Sequence, residues 1–210
     1  MTDSSIQAPD DPRRFWDQRY GQDGFAYGDQ ANDFLRQHLR ALPAGRALCL
    51  AEGEGRNAVH LAQLGHTVLA QDISPVGLTK AQGLAASRGV TIETLCCDLA
   101  AFTPEPAGFD LVVAIWMHLS PPLRAQTLQR AMAALRPGGH LILEAYTPRQ
   151  LALGTGGPPR EALLIEPQVL RQELAGLELL VLEERERWIE EGLYHRGRSA
   201  VVQVLGRRPD

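Results

Sequence analysis

Residues 47–62, "ALCLAEGEGRNAVHLA", contain the most informative pattern of the chain. Residues 47–51 are apolar and indicate a short buried strand, and residues 58–64 indicate the start of a helix. Between them Gly53, Gly55 and Ala58 match the G-x-G-x-x-G/A spacing of a nucleotide-binding turn. Such turns commonly bind a pyrophosphate through backbone N–H groups at the N-terminus of a helix.

Two acids stand in this turn, Glu52 before the first glycine and Glu54 between the two. A carboxylate about 4 Å from a phosphate costs on the order of 4 kcal/mol at an effective dielectric constant of 20. Therefore either the acids point away from the ligand, or the ligand is not a phosphate.

The composition predicts one globular α/β domain. The chain has 210 residues, 44% of them apolar, and a net charge of -4. The charge and the lack of a basic run argue against nucleic acid and membrane partners. Three cysteines do not form a disulfide framework or a zinc site, so we predict a cytoplasmic protein without a metal. We expect residues 1–10 to be a disordered tail and residues 11–210 to be a single domain, monomeric or homodimeric.

Strands and helices alternate along the chain. Five strand–helix alternations imply a parallel sheet, and two late strands, residues 177–191 and 199–207, follow each other with only a short tip between them. The last strand must therefore be antiparallel. Ser74–Pro75 and Ser120–Pro121 are typical helix starts, and "LRPGG" (135–139) is typical of a helix end. The predicted fold class is α/β, with a doubly wound, mostly parallel sheet.

Acids and aromatic residues collect at one edge of this sheet. Ligands of open parallel sheets bind at the carboxyl ends of the strands. Asp72 ends strand two, 19 residues after Gly53, which is the spacing of an acid that binds a ribose hydroxyl. Asp98 ends strand three, Trp116 and His118 follow strand four, and the tip at residues 190–197 reaches the same edge.

S-adenosylmethionine fits this edge better than a phosphate-bearing ligand. It contains adenosine, a sulfonium cation and an α-ammonium group, but no phosphate. We expect Glu52 to face the ammonium group, while the N-terminus of the following helix favours the α-carboxylate. Asp72 then binds the ribose hydroxyls, and Asp98 the adenine amino group.

The ordered motifs resemble those of class I S-adenosylmethionine-dependent methyltransferases. The resemblance rests on "LCLAEGEGRNAVHLA" (48–62), "AQDISPVGLTKA" (70–81), "CCDLAAF" (96–102), "FDLVVAIWMHL" (109–119) and "LRPGGHLILEAY" (135–146). More narrowly, "FWDQRY" (15–20), "YGDQANDFL" (27–35), "TGGPP" (155–159) and "EEGLYHRG" (190–197) resemble bacterial relatives of the tellurite-resistance and thiopurine methyltransferases. Glu52 stands where many of these enzymes have Asp.

The resemblance implies a Rossmann-like sheet of seven strands with the last one antiparallel. It also implies that the N-terminal segment, residues 11–45, covers the cofactor. His195 and Arg196 resemble a His-Arg pair near the acceptor in the tellurite group. The predicted cofactor-binding residues are Trp16, Tyr20, Tyr27, Gly28, Glu52, Gly53, Gly55, Asn57, Asp72, Ile73, Asp98, Leu99 and Trp116.

We predict methyl transfer to a small molecule, with a thiol or a metalloid oxyanion as acceptor. His118 and His195 are the candidate bases or orienting groups, and Arg196 is the candidate anion contact. Glu144, Tyr146 and Glu191 are expected in the pocket wall. Two alternatives stay open: a nicotinamide-dependent oxidoreductase, and a non-catalytic protein that binds S-adenosylmethionine.

Overall fold

The structure is a computed structural model and describes residues 11–210. The expected disordered tail at residues 1–10 lies outside the described residues. The helices are α1 Pro12–Tyr20, α2 Asp33–Leu39, α3 Arg56–Gln63, α4 Pro75–Ser87, α5 Pro121–Ala134, α6 Gln150–Leu153 and α7 Pro167–Glu173, with a short 3-10 helix at Glu161–Leu163. The strands are β1 Arg46–Cys49, β2 Thr67–Asp72, β3 Glu93–Cys96, β4 Phe109–Ile115, β5 Leu135–Tyr146, β6 Glu178–Glu191 and β7 His195–Arg207.

The seven strands form one mixed sheet in the order β3-β2-β1-β4-β5-β7-β6. Strands β1 to β5 are parallel, and β7 is antiparallel to both β5 and β6. The predicted Rossmann-like methyltransferase fold is therefore confirmed. Because the order reverses at β1, the ends of β1, β2 and β4 meet at the switch point of the sheet, where ligands bind in this class of fold.

The core lies on both faces of the sheet. Neighbouring strand residues point to opposite faces, so Leu48 packs in the cluster that α5 and α7 cover, and Cys49 packs in the cluster that α2, α3 and α4 cover. The predicted start of α4 is confirmed, because the Ser74 hydroxyl accepts a hydrogen bond from the Gly77 N–H at 3.1 Å ahead of Pro75.

Three elements differ from the sequence-based expectation. Helix α1 was not predicted, although Asp11 accepts the Arg14 N–H and Pro12 occupies the first turn. The segment "LRPGG" ends α5 and also begins β5, since Leu135 pairs with Phe109 next to an irregularity in the ladder. Strand β7 begins at His195, so the tip has only three residues, 192–194. None of the helices within residues 11–210 has the length and apolar content to span a membrane.

Candidate active site

The acid at the start of the glycine turn caps a helix. Glu52 lies after β1, and its Oε1 accepts the backbone N–H groups of Asn57 and Ala58 at 2.9 and 2.8 Å. These donors are in the first turn of α3, which was expected to attract the α-carboxylate of the ligand. That expectation was wrong for these two groups, because Glu52 already occupies them.

The acid at the end of β2 binds the same turn. Asp72 Oδ2 accepts the Gly53 N–H at 2.8 Å, and its Oδ1 accepts the Ser74 N–H at 2.8 Å. The N–H groups of Gly53, Asn57 and Ala58 therefore bind the protein's own carboxylates. A pyrophosphate would have to replace these bonds and approach two acids, so the geometry does not suit a dinucleotide.

The carboxylates of the turn are buried and favour a cationic ligand. Burial raises the pKa of Glu52 to about 7, although the Asn57 and Ala58 N–H groups and Arg56 oppose the shift. Burial also raises the pKa of Asp72. A positive charge near either group restores the ionised form, so the electrostatics fit the ammonium and sulfonium of S-adenosylmethionine.

The second acid of the turn holds the N-terminal segment. Glu54 Oε2 accepts the Ala26 N–H at 2.7 Å, and its Oε1 lies 3.1 Å from Lys80 Nζ. The same ammonium donates to the carbonyl groups of Gln22 and Gly24 at 2.6 Å. Glu54 thus points away from the ligand edge and fixes the loop between α1 and α2.

Aromatic residues of this segment cover the glycine turn. A Cβ added at Gly53 would lie 2.5 Å from the Tyr20 hydroxyl, and one at Gly77 would lie 2.8 Å from the Tyr20 ring. The Trp16 ring stacks on Tyr20 at 5.4 Å between centroids, and Tyr27 stands edge-on to Tyr20 at 6.4 Å. The predicted residues Trp16, Tyr20 and Tyr27 therefore lie together over the turn.

Two other predicted cofactor contacts bind protein groups. Gly28 has a φ of +75°, and a Cβ there would lie 3.3 Å from the Gly192 nitrogen of the tip. The Leu193 N–H also donates to the Ala26 carbonyl at 2.9 Å, so the segment and the tip pack backbone to backbone. The Asn57 side chain accepts the Asn32 N–H at 3.0 Å. The side chain of Asn57 and the backbone of Gly28 thus join protein segments.

A cavity of about 330 Å³ lies beyond Asp72 at the ends of β2 and β3. Its size is in the lower range for ligand pockets. It is lined by Asp11, Pro12, Arg13, Ile73, Cys96, Cys97 and Asp98. The predicted cofactor contacts Ile73 and Asp98 therefore share one cavity, whereas Leu99 is buried in the core. A more open groove of about 620 Å³, between residues 24–29 and α4, contains none of the strand ends.

A cluster of aromatic rings lies at the same edge of the sheet. It is on the other side of the glycine turn from the 330 Å³ cavity. Trp116, directly after β4, stacks on Tyr146 with ring centroids 4.4 Å apart. His195 meets Trp116, Tyr146 and Tyr27 at 4.9, 5.2 and 4.6 Å. We call these four residues, Tyr27, Trp116, Tyr146 and His195, the aromatic cluster.

Two buried polar atoms of the aromatic cluster lack partners. Within residues 11–210, neither the Tyr146 hydroxyl nor His195 Nδ1 makes a hydrogen bond. Burial, followed by the Arg56 charge, lowers the pKa of His195 to about 3, and burial raises the pKa of Tyr146. Unpartnered buried groups are rare because they cost about 1–3 kcal/mol each.

The loop after α6 closes over these atoms. A Cβ at Gly156 would lie 2.8 Å from the Tyr146 hydroxyl, and one at Gly157 would lie 2.6 Å from the Tyr146 ring. Both residues have positive φ, at +144° and +82°. The loop "TGGPP" thus needs glycine to lie this close to the aromatic cluster.

The structure does not support two of the predicted catalytic residues. His118 Nδ1 lies 3.0 Å from the Leu163 carbonyl, its Nε2 faces the Tyr146 N–H at 3.4 Å, and burial lowers its pKa to about 4. Both ring nitrogens therefore bind backbone. Arg196 is exposed and pairs with Glu190 at 3.3 Å, because neighbouring residues of β7 point to opposite faces.

Arg19, which was not among the predicted site residues, lies beside the aromatic cluster. Arg19 lies 3.8 Å from the Tyr194 ring centroid, and its Nη1 donates to the Tyr27 hydroxyl at 3.3 Å. No carboxylate of residues 11–210 lies within salt-bridge distance of it. Its position directly before Tyr20, a predicted cofactor contact, could have indicated that Arg19 lies near the site.

A neutral ion network lies beneath the aromatic cluster. Glu144 binds Arg187 through two bonds of 2.9 and 2.7 Å, and Glu191 binds Arg56 at 2.6 Å. Asn32 donates to both carboxylates, at 2.6 and 2.9 Å. Glu144 was expected in the wall of the pocket, but it is fully buried in the protein interior. We call Arg56, Glu144, Arg187 and Glu191 the ion network.

Comparisons with known proteins agree with this geometry. A family model described as "Methyltransferase domain" matches residues 47–139. The N-terminal Xaa-Pro-Lys N-methyltransferase 1 of Rattus norvegicus is 27% identical over 177 residues, which cover 80% of this chain and 78% of that protein.

Two solved structures share the fold. N-methyltransferase NodS from Bradyrhizobium japonicum, in complex with S-adenosyl-L-homocysteine, superimposes with a TM-score of 0.72 at 16% identity, covering 96% of this chain and 100% of NodS. TehB from Haemophilus influenzae gives a TM-score of 0.70 at 16% identity, covering 93% of this chain and 66% of TehB.

Proposed function

Because the chain is a class I S-adenosylmethionine-dependent methyltransferase, we propose that it methylates a small acceptor bound at the aromatic cluster. The observation that carries this proposal is the pair of unpartnered buried atoms, the Tyr146 hydroxyl and His195 Nδ1, beside the glycine turn. The narrower grouping with tellurite-resistance and thiopurine methyltransferases is part of the same proposal.

The cofactor would lie along the ends of β1, β2 and β3. Glu52 and Asp72 would bind its ammonium and ribose groups, and Asp98 with Ile73 would hold the adenine in the 330 Å³ cavity. Tyr20 and Trp16 would cover it from above. The bound cofactor supplies a methyl group on a positively charged sulfur, so the protein's tasks are alignment and exclusion of water.

The protonation states of the aromatic cluster indicate the class of acceptor. With a pKa of about 3, His195 is neutral at physiological pH and is a weak base. It cannot take the proton of an ammonium group, but it can orient an acceptor that arrives as a nucleophile. Tyr146 stays protonated and can donate a hydrogen bond. A thiolate or a metalloid oxyanion fits these groups, and the guanidinium of Arg19, which has no carboxylate partner within residues 11–210, offers a contact for its charge.

A screen of acceptors tests the proposal. Small thiols, selenite, tellurite and amines are incubated with the protein and S-adenosylmethionine, and release of S-adenosylhomocysteine is followed. We expect turnover with a thiol or an oxyanion. His195→Ala should lower it by about 100-fold, whereas Arg196→Ala, one residue away on the outer face, should stay within about twofold. Equal losses in the two variants would contradict the assignment.

A second candidate is N-methylation, because the rat relative is named for the N-terminus of proteins and NodS is an N-methyltransferase. The low pKa of His195 disfavours an acceptor that arrives as a protonated amine. A peptide with a free N-terminus belongs in the screen, and turnover with that peptide alone would establish this alternative.

A further inference from the structure

We propose that Glu191 is a positioning residue for methyl transfer, because one of its oxygens holds both the glycine turn and a ring of the aromatic cluster. Glu191 Oε2 accepts Trp116 Nε1–H at 2.6 Å and Arg56 Nη2–H at 2.6 Å. The proposal rests on the proposed function, in which the aromatic cluster is the acceptor site.

The charge of Glu191 is balanced and buried. The side chains of Arg56 and Glu191 are 7% and 8% exposed. Glu191 Oε1 accepts from Asn32 and Arg187, so both of its oxygens are engaged. The four members of the ion network, two carboxylates and two guanidinium groups, balance in charge, and Arg187 also lies 3.7 Å from the exposed carboxylate of Asp33. A neutral, fully bonded network of this kind has few alternative arrangements, which suits a device that fixes geometry.

The backbone of Trp116 has a strained conformation that its surroundings must stabilise. It has a φ of +59°, a conformation that costs a bulky residue energy and persists only where its surroundings impose it. The Trp116 N–H bonds to the Glu144 carbonyl at 2.9 Å, which fixes the backbone. The indole is then held by the stack on Tyr146, by the edge-on contact with His195 at 4.9 Å and by the hydrogen bond to Glu191. Of these, only the hydrogen bond leads to the glycine turn, because Glu191 also binds Arg56.

Glu191 therefore joins three separate parts of the site. It belongs to β6 next to the tip, Arg56 begins α3 at the glycine turn, and Trp116 follows β4. A shift of the Glu191 carboxylate would move the indole against Tyr146 and His195. Because a displacement of about 1 Å can cost roughly 100-fold in rate, even a small shift is measurable.

Nuclear magnetic resonance of the indole N–H groups tests the contact without an acceptor. The chain has three tryptophans, Trp16, Trp116 and Trp188, so Trp116→Phe identifies the resonance. Glu191→Gln should move this resonance upfield and speed its exchange with solvent. Glu144→Gln is the matched control, since it removes the same charge from the ion network, keeps the backbone bond to Trp116 and alters a side chain that makes no hydrogen bond to the indole, so it should leave the resonance in place.

A second experiment measures methyl-transfer kinetics with the acceptor that the screen identifies. Glu191→Gln should lower kcat/KM for the acceptor by about 10-fold, while the Kd for S-adenosylmethionine changes by less than about threefold. In a Trp116→Phe background the same substitution should add little, because the indole N–H is already gone. If Glu191→Gln does not fold, as judged by circular dichroism, Trp116→Phe alone must show the loss, since it leaves every ion pair intact.

Two outcomes would overturn the proposal. One is an indole resonance that Glu144→Gln and Glu191→Gln move equally, or that neither moves. The other is full additivity of Trp116→Phe and Glu191→Gln in kcat/KM. Failure of the proposed function looks different: no acceptor turns over with the wild-type protein, yet the indole resonance still responds to Glu191→Gln alone.

Discussion

The Glu54 carboxylate accepts the backbone N–H of Ala26 at 2.7 Å, which ties the glycine turn to the segment that covers it. The acid between the two glycines is therefore not a ligand contact. It directs its charge toward Lys80 and the loop between α1 and α2, while Glu52 caps α3. The two acids of the turn thus have different structural roles, since Glu54 holds the covering segment and Glu52 caps α3.

Loss of the Glu54 carboxylate should loosen the N-terminal segment. Glu54→Ala leaves the buried Ala26 N–H without its partner, which costs about 1–3 kcal/mol of local stability. We expect faster tryptic cleavage after Arg19 and weaker cofactor affinity, both measurable by mass spectrometry and calorimetry. Glu54→Gln keeps an acceptor for Ala26 and should remain protected. Identical digestion of all three proteins would refute the anchoring role.

Gly53 should not tolerate a side chain. Its φ is +62°, and a Cβ would lie 2.5 Å from the Tyr20 hydroxyl. Gly53→Ala should therefore weaken S-adenosylmethionine binding by about 10- to 100-fold, corresponding to strain on the order of 1–3 kcal/mol. Gly83→Ala in α4 is the control, since no atom lies within 4 Å, and it should bind the cofactor normally. Normal binding by Gly53→Ala would show that Tyr20 does not cover the turn.

Removal of the Tyr146 hydroxyl should weaken binding of the acceptor without lowering the stability of the protein. The hydroxyl has no partner among the described residues, so Tyr146→Phe should keep or raise the Tm. The same variant should raise the acceptor KM by about 10-fold, because the acceptor loses a donor worth about 1.4 kcal/mol. Tyr194→Phe removes a hydroxyl that bonds Gln22 on the outside and should leave KM unchanged. An unaltered KM in Tyr146→Phe would remove this residue from the acceptor site.

The succession of strands and helices along the chain could be predicted from the sequence because local patterns determine it. Short apolar runs, glycine turns and helix caps recur along residues 46–146, and the rule of right-handed crossovers then places the strand ends at one edge. Asp72 and the glycine turn meet there as expected, with the Gly53 N–H on the Asp72 carboxylate. The spacing of 19 residues between Gly53 and Asp72 was sufficient to predict that these two residues meet.

The direction of individual side chains could not be predicted in the same way. His195 and Arg196 were both expected near the acceptor, but β7 begins at His195, so the two residues face opposite sides. Arg56 and Glu191 are 135 residues apart, and no local pattern indicates that they form a buried ion pair. The role of His118 depends on the Leu163 carbonyl, which lies in an irregular segment.

Glu52 links cofactor binding to pH. Its pKa in the folded protein, about 7, is above the ordinary value of 4.5. Its contribution to stability is thus fully present below about pH 4.5 and is lost as the pH rises through 7. A bound ammonium group favours the ionised carboxylate and lowers this pKa. S-adenosylmethionine binding should therefore release a proton and tighten as the pH rises from about 5 to 7.

Calorimetric titration with S-adenosylmethionine at pH 5.5 and 7.5, in buffers of different ionisation enthalpy, tests whether the Glu52 carboxylate binds the cationic cofactor. We expect proton release at the lower pH, tighter binding at the higher pH, and a smaller pH dependence in Glu52→Gln. An affinity that does not change with pH in the wild-type protein, with no proton released, would contradict a glycine turn whose acid receives a cation.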